Sequence, residues 1–212
     1  MVEGKIKLIV FDLDGTLADS KKIYVDAIQL VLSNNGFKFT KGQIMAAMGP
    51  KLRATLLNLR KFDDIFLKKL RGEINSIIEV KAPKVKAAPY ALQTLKKLKS
   101  NPQYKIILMT NSTHRFAHNF LHNSGLEGYF NIILGAEDFL SKETAFHALF
   151  NELKVKPNET IYIGDKISDY DRAIKVKCGL ALVKAVAWDK GKLNKKPYRE
   201  YAIADLRKLS NI

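Results

Sequence analysis

The chain has 212 residues, of which 47% are apolar and 27% charged, and its 36 Lys and Arg against 21 Asp and Glu give a formal net charge of +15. This apolar share can bury a core, which disfavours disorder, and no apolar run approaches the roughly 18 residues of a membrane span. Cys178 is the single cysteine, which excludes a disulfide framework or a cysteine-based zinc site, and we expect a cytoplasmic protein. The excess of basic residues is compatible with three kinds of binding partner: nucleic acid, an anionic membrane surface or a small anionic substrate.

Short apolar runs rich in β-branched residues recur along the chain and are predicted to be strands. Each run is nearly continuous rather than alternating, which is typical of strands buried on both faces of a parallel sheet. In chain order the predicted strands are 6–11, 105–109, 131–134, 160–163 and 180–183, with helical spacing near 92–98, 116–121 and 145–153. This alternation predicts an α/β fold with a doubly wound, Rossmann-like parallel sheet.

One interval, 19–86, breaks the alternation because it contains no convincing strand. Apolar residues at helical spacing occur instead around 24–31 and 66–78. We therefore expect a small α-helical domain at 19–86, inserted after the first strand, and an α/β core formed by 1–18 and 87–212. Positive charge is denser in the insert than in the core.

Polar side chains follow four of the predicted strands, directly or after a short loop. In open α/β sheets ligands bind at the carboxyl ends of the strands, so these groups should converge in space. Carboxylates there suit Mg²⁺, while a lysine and hydroxyl or amide donors suit a phosphate. The four groups are Asp12-Leu13-Asp14-Gly15-Thr16, Thr110-Asn111-Ser112, Lys142, and Gly164-Asp165 with Asp169.

In this order and spacing, the four groups resemble the motifs of the haloacid dehalogenase superfamily of phosphotransferases. Motif one would be Phe-Asp-Leu-Asp-Gly-Thr-Leu-Ala-Asp-Ser at 11–20, and motif four Gly-Asp-Lys-Ile-Ser-Asp at 164–169. Thr110-Asn111 would be motif two and Lys142 motif three, where the family often has Lys-Pro and this chain has Lys142-Glu143. The helical insert resembles the cap of the family that is called C1.

The resemblance implies a Mg²⁺-dependent phosphatase, similar to the phosphoglycolate phosphatases, that hydrolyses a small phosphate monoester. Asp12 would attack phosphorus and form an aspartyl-phosphate, and Asp14 would act first as general acid and then as general base. Asp169 would either ligate the metal or orient Lys142, whereas Asp171 is interpreted as a carboxylate of the first helical turn. The resemblance assigns the metal to Asp12, Asp14, Asp165 and Asp169, and phosphate binding to Thr110, Asn111 and the catalytic Lys142.

In the insert, the segment Met48-Gly49-Pro50-Lys51-Leu52-Arg53 resembles cap segments that close over the leaving group. Lys51 or Arg53 is therefore a candidate to bind a substrate carboxylate or a second phosphate. Rival activities within the superfamily are a nucleotide monophosphatase, a β-phosphoglucomutase-like mutase and a phosphonoacetaldehyde hydrolase.

A basic nucleic-acid-binding module without enzymatic activity is the rival from another class. The chain has no basic stripe interleaved with aromatic residues and no nucleic-acid recognition motif, which disfavours that alternative. The expected partner is a small-molecule phosphate ester, with no specific nucleic acid and no membrane. We expect a monomer or a weak dimer.

Overall fold

The computed structural model describes residues 5–211, and it contains one six-stranded sheet. The strands are β1 (Leu8–Phe11), β2 (Lys105–Met109), β3 (Ile132–Leu134), β4 (Thr160–Gly164), β5 (Gly179–Val183) and β6 (Ala202–Ile203). Every pairing is parallel, and the strands lie in the order β3-β2-β1-β4-β5-β6. This is the strand order of a doubly wound, Rossmann-type sheet, so the predicted fold class is confirmed.

The central strand β1 shows why the strands were recognisable in the sequence. Ile9 and Phe11 belong to the core on one face of the sheet, and Leu8 and Val10 to the core on the other. All four side chains are completely buried. Because successive side chains of a strand point to opposite faces, a strand covered on both faces must be apolar at every position.

Eight helices accompany the sheet in the described part of the chain. They are α1 (Lys21–Asn34), α2 (Lys41–Ala47), α3 (Leu52–Leu59), α4 (Asp64–Lys81), α5 (Ala91–Lys99), α6 (His114–Ser124), α7 (Lys142–Leu153) and α8 (Ile167–Val176). Short 3-10 turns lie at Ala82–Lys84, Glu127–Tyr129, Pro157–Glu159, Lys192–Asn194, Tyr198–Glu200 and Leu206–Asn211. None of the helices within 5–211 is long and apolar enough to span a membrane.

Helices α1–α4, which we call the helical insert, lie between β1 and the segment that leads to α5. The long helices α1 and α4 pack together, and Ile28 and Leu32 of the first and Leu70 and Ile74 of the second are completely buried in the same hydrophobic core. Where the chain enters and leaves the insert, the N–H of Asp19 donates to the Lys86 carbonyl at 2.9 Å. The two connections are thus joined side by side.

We keep the division into a core (1–18 and 87–212) and a helical cap (19–86) as a proposal. Residues 1–4 and Ile212, which that division assigns to the core, lie outside the described residues.

Three elements were not predicted from the sequence. Helices α2 and α3 have seven and eight residues, about two turns each, so little apolar periodicity can accumulate within them. Strand β6 has only two residues and pairs with the end of β5. Such short elements are defined by their contacts with the rest of the fold rather than by their own pattern.

The buried face of α4 provides a test of the packing between the two long helices. Replacement of the fully buried Ile74 by Ala is expected to lower the free energy of unfolding by about 2–5 kcal/mol, because it leaves a cavity against α1. Ile65 on the same helix is 85% exposed, and Ile65→Ala should change that free energy by less than about 0.5 kcal/mol. Urea denaturation measures both, and equal losses for the two variants would contradict the packing described.

Candidate functional site

The chain turns sharply after β1, and this turn presents two carboxylates at the edge of the sheet. The Leu13 carbonyl accepts hydrogen bonds from three N–H groups that follow it, at 2.9 to 3.2 Å. Gly15 has φ +86°, and a Cβ at this position would lie 2.1 Å from Oδ2 of Asp165. The turn therefore requires glycine, and it leaves Asp12 and Asp14 both buried beside the carboxyl ends of the strands.

Asp12 is held through one of its two carboxylate oxygens. Its Oδ1 accepts hydrogen bonds from Nζ of Lys142 and from the N–H of Leu13, each at 2.8 Å. Its Oδ2 has no hydrogen-bond donor among residues 5–211, and Asp12 lines a cavity of about 60 Å³ under the helical insert. One oxygen is thus fixed while the other is free to react.

Asp14 lies in a different environment, because the side chains that donate hydrogen bonds to it are hydroxyl groups and not a lysine. Its Oδ1 accepts from Oγ of Ser20 at 2.6 Å, and its Oδ2 accepts from Oγ of Ser112 at 2.5 Å and from Oγ1 of Thr110 at 3.4 Å. Burial raises the pKa of Asp14, and the hydrogen bonds from Ser112 and Ser20 oppose that rise without cancelling it. A carboxyl group with a raised pKa is suited to donate a proton.

Lys142 reaches Asp12 from the first turn of α7, and a tyrosine fixes its other side. The helix begins at a capping box in which the Ser141 hydroxyl accepts from the Thr144 N–H at 3.2 Å, so no proline is needed after Lys142. Nζ of Lys142 donates to the Tyr162 hydroxyl at 2.9 Å, and that hydroxyl donates to Oδ1 of Asp169 at 3.0 Å. All of these groups except the capping residues are buried.

Asp12, Asp165 and Asp169 place carboxylate oxygens within 4.8 Å of one another, and all three residues are buried. Within the described part of the chain, this is the group of acidic, histidine or cysteine side chains whose geometry suits a metal ion. Three carboxylates at this spacing repel one another unless cations or donors compensate them. Their fit to a cation therefore depends on which of their oxygens are already occupied.

Asp165 retains an unoccupied buried oxygen, whereas Asp169 does not. Oδ2 of Asp165 accepts from the N–H of Trp188 at 2.6 Å, but its Oδ1 is buried and has no donor within 5–211. Burial raises the pKa of Asp165 well above the usual range, and the charge of Lys166 opposes that rise. A buried carboxylate oxygen without a donor fits a hard cation such as Mg²⁺.

Asp169 accepts hydrogen bonds from four donors. The Tyr162 hydroxyl and Nη1 of Arg172 donate to its Oδ1, at 3.0 and 2.9 Å, and the N–H groups of Asp165 and Lys166 donate to its Oδ2, both at 3.0 Å. A Cβ on Gly164 would lie 2.4 Å from Oδ2 of Asp169, so the carboxylate of Asp169 can lie this close to the backbone only because residue 164 is glycine. These bonds favour a role for Asp169 in orienting its neighbours.

Thr110 and Asn111 follow β2 at the same edge of the sheet. Oγ1 of Thr110 accepts from the N–H of Ser112 at 3.0 Å in addition to its long contact with Asp14. Nδ2 of Asn111 donates to the carbonyl of Pro50 in the helical insert at 3.0 Å, and Asn111 lines the 60 Å³ cavity. Both residues therefore lie near the carboxylates, and Asn111 also connects the insert to the core.

The two candidate residues of the insert have different positions. Lys51 lines the 60 Å³ cavity, while its Nζ donates to the carbonyl of Leu140 at 3.0 Å. Arg53 does not line this cavity, and its Nη2 forms an exposed ion pair with Asp64 at 2.8 Å. The structure thus brings Lys51 but not Arg53 to the cluster that contains Asp12.

Several residues of the site were given no individual role from the sequence. Tyr162 lies in the middle of an apolar strand, while Ser112 and Ser20 were included only as members of the groups 110–112 and 11–20. Lys166 directly follows Asp165, a position that could have drawn attention to it, and its ammonium group lies 3.9 Å from the centre of the Trp188 ring. Trp188 itself comes from the loop after β5, and nothing in the local sequence indicates its contact with Asp165.

Comparisons with known proteins show which family the chain resembles. The family model described as haloacid dehalogenase-like hydrolase matches residues 9–183. A phosphoglycolate phosphatase from Aquifex aeolicus is 26% identical over 200 residues, which cover 89% of this chain and 88% of that protein. A phosphoglycolate phosphatase from Vibrio vulnificus is 27% identical over 191 residues, covering 84% of this chain and 83% of that protein.

A solved structure of a haloacid dehalogenase-like hydrolase has the same fold as this chain. The crystal structure of a haloacid dehalogenase-like hydrolase from Bacteroides fragilis superposes with a TM-score of 0.84 at 25% identity, and covers 97% of this chain and 100% of that chain. The matched family segment runs from β1 to the end of β5 and includes the helical insert and every carboxylate described above. The chain therefore belongs to the haloacid dehalogenase-like hydrolases.

Proposed function

We propose that the protein is a Mg²⁺-dependent phosphatase that hydrolyses a small phosphate monoester, with Asp12 as nucleophile and Asp14 as general acid and base. The observation that carries this proposal is the contrast between two carboxylates two residues apart. Asp12 forms an ion pair with Lys142 and keeps one oxygen free, whereas Asp14 is surrounded by hydroxyl groups and has a raised pKa. A nucleophile and an acid need these two different environments.

The reaction would proceed in two displacements. In the first, Oδ2 of Asp12 forms a bond to phosphorus, the bond from phosphorus to the leaving oxygen breaks, and Asp14 gives its proton to that oxygen. In the second, a water molecule attacks phosphorus, Asp14 removes a proton from it, and the bond from Asp12 to phosphorus breaks. Inorganic phosphate is released and Asp14 is protonated again.

The phosphate would be held by donors that the protein leaves available. The ammonium group of Lys142 has three hydrogens, of which Asp12 and Tyr162 accept two, so one remains for a phosphate oxygen. The Thr110 hydroxyl donates to Asp14 only at 3.4 Å, and it can turn toward a phosphate oxygen instead. Asn111 lines the 60 Å³ cavity together with Asp12, and its side-chain amide would be a further donor to the phosphate.

Asp12 and Asp165 would hold Mg²⁺ together with the backbone carbonyl of Asp14. The buried Oδ1 of Asp165, which has no donor within 5–211, supports this assignment. When bound, the ion would supply positive charge that offsets the charge of the phosphate and of the carboxylates. Asp169 would be a positioning residue, because its four hydrogen bonds orient Asp165 and Tyr162.

The substrate class follows from the relatives and from the size of the site. The two curated relatives described above are named phosphoglycolate phosphatases, and a small phosphate monoester suits a cavity of about 60 Å³ over Asp12. We therefore propose a phosphatase similar to phosphoglycolate phosphatases.

Substitution of the two carboxylates separates the steps of the proposed reaction. Asp14→Asn should lower steady-state hydrolysis of p-nitrophenyl phosphate about 10²–10⁴-fold, because the water loses its general base. A burst of about one p-nitrophenolate per protein should remain, since this leaving group needs no proton. Asp12→Asn should abolish both burst and turnover in stopped-flow absorbance.

Asp19→Asn, which changes an exposed carboxylate in the same segment, is the matched control and should behave as the parent protein does. A burst in Asp12→Asn would exclude the covalent mechanism.

Metal binding can be measured without activity, by the temperature of unfolding. Mg²⁺ should raise the Tm of the parent protein, and Asp165→Asn should remove that rise, because a ligand stabilises the native state to which it binds. Without Mg²⁺, Asp165→Asn should be at least as stable as the parent, since it removes a buried charge but keeps an acceptor for Trp188.

Asp171→Asn changes an exposed carboxylate two residues after Asp169 and should leave the rise in Tm unchanged. EDTA should abolish hydrolysis by the parent protein. An equal rise in Tm for Asp165→Asn and the parent would contradict the proposed ligand.

Tyr162→Phe tests how Lys142 is oriented. The loss of a hydrogen bond to each of two buried charged groups should lower the free energy of unfolding by about 1.5–3 kcal/mol and kcat roughly tenfold. Tyr170→Phe is the control, because no hydrogen bond of the Tyr170 hydroxyl is found in the described residues. Urea denaturation and initial rates give the two values, and unchanged kcat in Tyr162→Phe would exclude the positioning role.

A further inference from the structure

A second and larger cavity lies beside the one that contains Asp12. Its volume is about 500 Å³, compared with about 60 Å³ for the smaller cavity. The two cavities share part of their lining, which consists of Met48, Gly49, Pro50, Lys166 and Trp188. A leaving group too long for the space of about 60 Å³ over Asp12 would extend past Trp188 into the larger cavity.

The larger cavity is basic. Four lysines line it, and the single carboxylate in its lining is Asp189; the lysines are Lys21, Lys166, Lys192 and Lys195. Lys192 is 3.4 Å from Asp189, and Nζ of Lys21 donates to the Trp188 carbonyl at 3.1 Å. Lys195 has no ion pair among the residues that the structure describes. Lys166 interacts with the buried carboxylates of the site, Asp165 above all. The excess positive charge of the cavity therefore comes from Lys21 and Lys195, and it favours an anion.

The backbone of the loop after β5, which carries two of these lysines, is anchored to the rest of the fold. Leu193 in the 3-10 turn Lys192–Asn194 is completely buried and anchors this part of the loop. Lys192 directly precedes Leu193, and Lys195 directly follows the turn. At the other end of the loop, the N–H of Trp188 donates to Asp165 at 2.6 Å. The proposed hydrolysis has no use for the charges of Lys192 and Lys195.

We infer that this cavity is a subsite for a second anionic group, a phosphate or a carboxylate, at the far end of the substrate. The inference rests on the proposed phosphatase activity and specifies its substrate class as phosphate monoesters with two anionic ends on a skeleton longer than that of phosphoglycolate. The carbon skeleton would lie against Met48 and Trp188, which line both cavities. Lys195 would be a specificity-determining residue that contacts the second anion.

The test compares substrates that differ only in the second anion. Fructose 1,6-bisphosphate is paired with fructose 6-phosphate for a phosphate, and 6-phosphogluconate with the open-chain sorbitol 6-phosphate for a carboxylate. With Mg²⁺ and phosphate release as readout, kcat/KM should be at least about tenfold higher for the doubly anionic member of one pair or of both. The pair that shows the preference identifies the second anion as phosphate, carboxylate or either.

The variant Lys195→Ala should remove most of that preference and leave kcat/KM for the singly anionic esters unchanged. Lys190→Ala is the matched control, because it removes the same charge from an exposed residue of the same loop that does not line the cavity. Long-range attraction of anions would fall equally in both variants. A loss of preference in Lys195→Ala alone supports the subsite.

The results that would overturn the subsite differ from those that would overturn the proposed phosphatase activity. If the parent protein hydrolyses the singly anionic esters but shows no preference within either pair, the subsite is wrong and the proposed function stands. Equal effects of Lys195→Ala and Lys190→Ala also overturn the subsite. If the parent protein hydrolyses none of the esters with Mg²⁺, including p-nitrophenyl phosphate, the proposed function is wrong and the inference falls with it.

Discussion

Four buried carboxylates meet at the carboxyl ends of β1 and β4, and the surrounding structure depends on compensating them. An unpaired buried charge costs several kcal/mol, so each carboxylate requires a cation or a set of donors. Asp12 has Lys142, Asp169 has Arg172 with three further donors, and Asp14 has hydroxyl groups. Asp165 has the N–H of Trp188 and the nearby charge of Lys166, but its Oδ1 is completely enclosed and has no donor inside 5–211. The same requirement that organises the core of the site thus leaves one position at which a cation completes it.

The strands and the principal carboxylates could be predicted from the sequence because each has a local cause. A strand covered on both faces must be apolar at every position, as β1 is, and a polar residue that directly follows such a strand must lie at the edge of the sheet. Asp12 and Asp165 satisfy that rule, and Asp14 lies two residues after Asp12. Lys142 could be identified from its place in the order of motifs, although the usual proline is absent and the Ser141 cap starts the helix instead.

The remaining features could not be predicted, because they arise from contacts between distant segments. Trp188 reaches Asp165 across 23 positions of the chain, and the Tyr162 hydroxyl lies between Lys142 and Asp169 only once β4 and α7 have packed together. Arg53 is a further example: its position near a Gly-Pro turn made it an alternative to Lys51 for a substrate contact, and its side chain forms an exposed pair with Asp64. Composition and spacing carry no information about such partners.

Trp188 is the only tryptophan in the chain, and it lines both cavities. Its ring lies against the ammonium group of Lys166 and near the ring of Tyr24, and its backbone contacts Asp165. Light absorbed near 295 nm therefore excites a single indole, which is located beside the carboxylates. Quenching and spectral shift of that emission report directly on occupancy of the site in the unlabelled protein, with no competing signal from any other indole.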